Sequence, residues 1–207
     1  MSRPPGRVRR DGLPAMLLFV ASPFGALLLG ALAHPAGILD SEEEIFARTE
    51  RWRPLAAPAA AEAGVPLDLL LALVATESSG RSGATSRADA CGLTQILPAT
   101  AREVAASLGS PAPGAAECYD PRTNLRLGAA YLAWQIRHFA GDEALGLAAY
   151  HRGRRDPDRW RAEDPDRPGI EVVREKAPPV TRAYVDRVLE RRVWFAAAPG
   201  EKAPGPR

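Results

Sequence analysis

The sequence predicts an all-α domain, and three observations carry that expectation. Aromatic residues make up only 6% of the chain, against a large share of alanine, which disfavours a strand-rich sandwich. Apolar residues recur at helical spacing in several segments, and no segment alternates as a strand would. Each such segment is bounded by a capping residue, a proline or a glycine. With 46% hydrophobic and 25% charged residues, the chain is excluded from the wholly disordered, collagenous and polytopic membrane classes.

The first segment is an export signal. Residues 1–14 are basic and proline-rich, and residues 15–33 carry no charge and end in Ala31-Leu32-Ala33, a small-x-small cleavage pattern. As a helix this run would be about 28 Å long, enough to stay in a bilayer as an uncleaved anchor, although Pro23, Gly25 and Gly30 weaken it. Residues 1–33 hold Arg3, Arg7, Arg9, Arg10 and Asp11, so of 27 basic and 25 acidic residues the remainder keeps 23 and 24, net −1. A near-neutral body argues against nucleic acid as the main partner, because phosphate backbones select strongly positive surfaces.

Residues 34–64 read as an N-terminal helical extension. Ser41 and Glu44 form a capping box that starts a helix running to about Arg51. Pro54 interrupts it, and an alanine-rich helix follows and stops at Gly64. Residues 65–197 form the main domain. Pro66 opens its first helix, with Asp68 near the positive end of the dipole, and the body LDLLLALVATE is apolar nearly all round, so it should be the buried central helix. Residues 78–94 read as a structured loop, and Pro98 to Leu108 as a helix. Asp120 caps a long helix that Gly141 ends, and another runs from Asp142 to about His151. Residues 153–179 hold only short helical pieces, Thr181 caps a last helix through about Phe195, and the tail from 198 to 207 is expected to be disordered.

Cys91 and Cys118 are an even pair in a chain marked for export. They read either as a disulfide, worth about 3.5 kcal/mol by loop-closure entropy, or as two buried thiols.

Glu77 is the residue most charged with chemistry. It shares one face of the central helix with Leu70, Leu73 and Val74, and so occupies a place where a leucine is expected. It also lies in the last turn, where the helix dipole disfavours a negative charge. Both effects raise a carboxyl pKa and suit a general acid. The alternative is a helix-end glutamate that reaches solvent or pairs with Arg81.

Five ordered blocks around this residue resemble the lytic transglycosylase family, the goose-lysozyme-like domain that cleaves peptidoglycan strands. Glu77-Ser78 matches its Glu-Ser pair at a helix end. Ser86 through Gln95, followed by Pro98, matches the loop S-x-x-G-A-x-G-L-M-Q. Asp120-Pro121, Asn124-Leu125, Gly128 and Tyr131-Leu132 match D-P-x-x-N-[IL]-x-x-G-x-x-Y-L. Ala149-Tyr150-His151-Arg152-Gly153 stands for A-Y-N-A-G, and Val180-Thr181-Arg182-Ala183-Tyr184-Val185 for E-T-x-x-Y-V.

The resemblance implies a lysozyme-like helical fold with a cleft beside the central helix, and cleavage of the β-1,4 bond between N-acetylmuramic acid and N-acetylglucosamine. Glu77 would act as acid and then base while the muramyl C6 hydroxyl closes a 1,6-anhydro ring. Ser86 and Gln95 would hydrogen-bond acetamido groups, and Tyr150 would place its hydroxyl by the carboxyl. No cofactor or metal is implied. The partner would be peptidoglycan glycan strands in the periplasm, met by a monomer. A hydrolytic muramidase and a weakly active wall-binding scaffold are the alternatives. The departures point to a divergent subgroup serving an envelope or secretion apparatus. Thr94 replaces a methionine and removes an apolar sugar contact, and Asp89 replaces a glycine and should alter the loop backbone. His151, in place of an asparagine, reads as a surface histidine, and Val180 replaces a glutamate.

Overall fold

A computed structural model describes residues 40–197 and 203–206. The leader at 1–33 lies outside them. Nine α-helices and no β-strand form among the described residues: α1 (Glu42–Glu50), α2 (Arg53–Ala63), α3 (Leu67–Ser78), α4 (Pro98–Ser107), α5 (Pro121–His138), α6 (Glu143–Arg152), α7 (Arg155–Glu163), α8 (Gly169–Lys176) and α9 (Pro179–Phe195). A single turn of 3₁₀ helix at Glu117–Tyr119 precedes α5.

Local chemistry accounts for most of the boundaries. Ser41 Oγ accepts from the Glu44 amide while the Glu44 carboxylate accepts from the Ser41 amide, the reciprocal box that starts α1. Gly64 ends α2 with φ +71°, a left-handed backbone that costs glycine nothing. Asp120 and Asp142 each accept an amide hydrogen bond three residues on, opening α5 and α6. Two expected starts move. Pro66 is the residue before α3 rather than its first, because its ψ of 134° is extended. Thr181 does not cap α9; Pro178 stands at that place, Pro179 takes the first helical position, and the Thr181 hydroxyl turns toward Arg152.

α3 is the axis of the molecule. Leu69, Leu70, Leu71, Leu73 and Val74 are fully buried, and α9 lies along it as its main neighbour. α2 packs on α5, and α5 on α6. Ile45 of α1 and Ala56, Ala59 and Ala60 of α2 share this core, so the two helices of residues 34–64 are built into it. A smaller core holds Cys91, Ile96, Ala101, Val104, Cys118 and Leu127, where the 78–97 loop and α4 meet α5.

The last turn of α3 is held from outside. Arg191, buried on α9, donates to the Ala75 carbonyl at 2.8 Å; Arg48 donates to the Ser79 carbonyl at 2.9 Å; the Trp52 indole donates to the Gly80 carbonyl at 2.8 Å. These contacts satisfy carbonyls that a helix end leaves open, and two of them bring positive charge to the negative end of the dipole. From the expected disordered tail, residues 203–206 are described and fold back: the Gly205 amide donates to the Trp194 carbonyl at 3.0 Å, and Ala203 is buried. No single helix among the described residues is long and apolar enough to cross a membrane.

Candidate active site

Glu77 ends the buried face of α3. It keeps a partly exposed edge while protein packs densely around its carboxyl. That desolvation lifts its pKa from 4.5 to about 7, against a hydrogen bond from Tyr184 that favours the charged form. The Tyr184 hydroxyl on α9 donates to Glu77 Oε1 at 2.7 Å. Burial and the neighbouring carboxyl push the Tyr184 pKa well above 10, so the phenol remains a donor. Arg81, the alternative partner, pairs with Asp40 instead.

Tyr150 lies close enough to Glu77 to feel its charge, but its hydrogen bond goes elsewhere. Its hydroxyl donates to the Thr94 carbonyl at 2.8 Å, while Tyr184 has the place beside the carboxyl. Tyr150 still feels the charge of Glu77, which together with burial raises its pKa well above 10. Its ring meets Tyr131 at 5.0 Å between centroids and so joins the large core to the small one. Because α6 runs from the large core to the loop, the phenol ties Thr94 down beside the site.

Ser86 and Gln95 both shape the loop. Ser86 Oγ accepts from the Ala88 and Ala90 amides at 3.2 and 3.0 Å. Gln95 Nε2 donates to the Ala84 and Gly92 carbonyls at 3.1 and 2.9 Å, and its backbone is left-handed at φ +49°. Hydrogen bonds at both ends of the turn hold it in that uncommon conformation. Asp89 is left-handed as well, at φ +60°, so an aspartate meets the demand of a position where the family carries glycine. Thr94 is fully buried and bonds Asn124, so its replacement of methionine takes place away from the solvent side of the loop.

Cys91 and Cys118 form a disulfide, with Cα atoms 6.0 Å apart. Asn124 stands between the two: its amide nitrogen donates to the Cys91 and Cys118 carbonyls, and its oxygen accepts from the Thr94 amide, all at 2.9 Å. The block D-P-x-x-N marks this asparagine in the sequence, and burial explains why it is needed there.

His151 is not a surface histidine. Its ring stacks on Tyr184 at 4.4 Å and 27°, and Nδ1 lies 3.4 Å from the Thr181 hydroxyl. Burial and the adjacent Arg152 lower its pKa to about 4, so it is neutral at ordinary pH. Tyr184 and His151 are the two site residues that sequence reasoning passed over. Both lie inside blocks quoted above, which was the available signal. No group of three or more His, Cys, Asp and Glu side chains among the described residues could hold a metal ion.

Comparisons with known proteins bear on this arrangement. The model of the family described as "Transglycosylase SLT domain" matches residues 54–173. A transglycosylase of Enterobacteria phage PRD1 is 34% identical over 119 residues, 58% of this chain and 41% of that protein. A soluble lytic murein transglycosylase of Escherichia coli K12 is 28% identical over 142 residues, 67% of this chain and 22% of that one. The chain therefore spans less than half the length of these relatives. Among solved structures, an inactive mutant of the lytic transglycosylase Slt from Pseudomonas aeruginosa superposes with TM-score 0.62 at 31% identity, over 68% of this chain and 23% of that one. A 70-kDa soluble lytic transglycosylase in complex with bulgecin A has TM-score 0.65 at 24% identity, over 75% of this chain and 26% of that one, and supports the fold.

Proposed function

Since the chain belongs to the transglycosylase SLT domain family, we propose that it cuts peptidoglycan glycan strands between N-acetylmuramic acid and N-acetylglucosamine, with Glu77 as acid and then base. The observation that carries this reading is the Glu77 carboxyl, desolvated to a pKa of about 7 and gripped through one oxygen by Tyr184. A neutral carboxyl that accepts from Tyr184 at Oε1 keeps its own proton on Oε2. That proton passes to the glycosidic oxygen as the bond to the muramyl C1 breaks. The carboxylate left behind takes the proton of the muramyl C6 hydroxyl as its oxygen bonds C1. The product is a 1,6-anhydro end, and Glu77 is protonated again.

One carboxyl suffices because the attacking hydroxyl is already tethered to the reacting carbon. Usual glycosidases need a second carboxylate about 5–9.5 Å away; in this reaction the tethered hydroxyl takes its place. After the loop contacts are made, Ser86 retains its hydroxyl hydrogen and Gln95 its amide oxygen, and these are the groups left for acetamido recognition. Residues 1–33 would deliver the enzyme to the periplasm, where this substrate lies.

Digestion of purified sacculi by wild type and Glu77→Gln, read by mass spectrometry, tests the proposal. Wild type should release anhydromuropeptides, lighter by one water than hydrolytic products, and Glu77→Gln should release none. Ordinary reducing ends would show a muramidase, and sacculus binding without soluble product a scaffold.

A further inference from the structure

The stack of His151 on Tyr184 places a residue that stands for the motif's asparagine one contact away from the Glu77 hydrogen bond. Three linked contacts define it. Arg152 Nη1 donates to the Thr181 hydroxyl at 3.3 Å. That hydroxyl is buried and lies 3.4 Å from His151 Nδ1, so it pairs with that edge of the ring. The ring plane is set by Thr181 at one edge and by the Tyr184 face, 4.4 Å off. Tyr184 in turn donates to Glu77 Oε1 at 2.7 Å. We propose that His151 is a positioning residue for Glu77: pinned by Arg152 through Thr181, its ring holds the Tyr184 ring at the angle where the phenol meets the carboxyl.

A phenol hydrogen bond is steep in angle, so the contacts that fix the plane of the Tyr184 ring also fix how its hydroxyl meets Glu77. Core packing from α3 covers one side of α9; His151 covers the Tyr184 face toward α6. The charged group acting on His151 is Arg152 on α6, and its stacking partner is Tyr184; around Tyr184 lie Glu77 on α3, Tyr150 on α6 and Tyr131 on α5. The imidazole stays neutral among them, so the stack does not change with pH in the range where Glu77 titrates.

This inference rests on the role given to Glu77 above, and its test has a readout that does not need turnover. The Glu77 titration midpoint is followed by carboxyl carbon NMR of glutamate-labelled protein, with Glu77→Gln to assign the signal. Tyr184→Phe removes the hydrogen bond that favours the carboxylate, so the midpoint should rise. His151→Leu, which fills the space without a flat face, should raise it too and lower kcat ~10- to 100-fold with little change in KM. His151→Phe restores a flat face and should recover most of both, and Thr181→Val should reproduce part of the loss. In a Tyr184→Phe background His151→Leu should add nothing.

A His151→Leu midpoint equal to wild type, an effect additive with Tyr184→Phe, or a rise in KM alone would overturn the proposal. Should His151→Leu fail to fold, His151→Phe and Thr181→Val carry the comparison. Midpoints that shift as expected in a protein with no turnover would retain this inference while sinking the catalytic reading.

Discussion

In the proposed reaction Glu77 would combine two demands that conflict elsewhere, since an acid must be neutral to give a proton and charged to take one. Burial meets the first demand and Tyr184 the second. The same burial has a measurable cost for the fold. The folded pKa of about 7 lies above the ordinary 4.5, so the folded state binds this proton more tightly than the unfolded chain. The resulting stabilisation is complete below about pH 4.5 and is lost as pH rises through about 7, at most about 3 kcal/mol. Glu77→Gln, neutral throughout, should lack this loss, and its melting temperature should draw above that of wild type between about pH 5 and 8. Glu77 was legible because it interrupts a leucine face. Tyr184 was not, since a tyrosine at a buried position of a helix reads as core, and the direction of its hydroxyl depends on an element 107 residues away.

The 78–97 loop is the element on which the site is built, and it holds its shape without a regular ladder. Its only strand-like contacts among the described residues are isolated bridges, Thr85 with Cys91 and Cys91 with Ile96. Asn124, the disulfide and the Tyr150 hydroxyl tie it to α5 and α6 instead. Replacing both cysteines by serine should cost about 3 kcal/mol in denaturant unfolding, and unreduced, denatured wild type should show no reactive thiol. At Gly128 on α5 the loop comes close: a Cβ there would collide with the Thr94 side chain. Gly128→Ala should therefore lower stability by about 1–3 kcal/mol through overpacking, read by the same unfolding curves. The sequence marked the ends of this loop and its cysteines. The route between them escaped it, because side-chain to backbone bonds leave no periodic pattern.

For the whole molecule, α9 and α1 act as a brace around the end of α3. Arg191 reaches from α9 to the Ala75 carbonyl and, through its other nitrogen, to Glu42 at 3.0 Å. Arg191→Met keeps the stem but strands a buried carbonyl, and should lower the melting temperature by the equivalent of about 1–3 kcal/mol. The family model matches residues 54–173, and Tyr184 of α9, in the block that resembles E-T-x-x-Y-V, reaches the site from beyond that match. By itself the sequence determined the helical class, the buried axis, most caps and the acid at the end of that axis. These follow from hydrophobic period and from local hydrogen bonding, which act over a few residues. Only the tertiary structure decided which hydroxyl meets Glu77, that His151 lies inside the site, and that the cations of α1 and α9 close the end of α3. Those contacts join residues far apart in the chain, and their geometry exists only once the helices have packed.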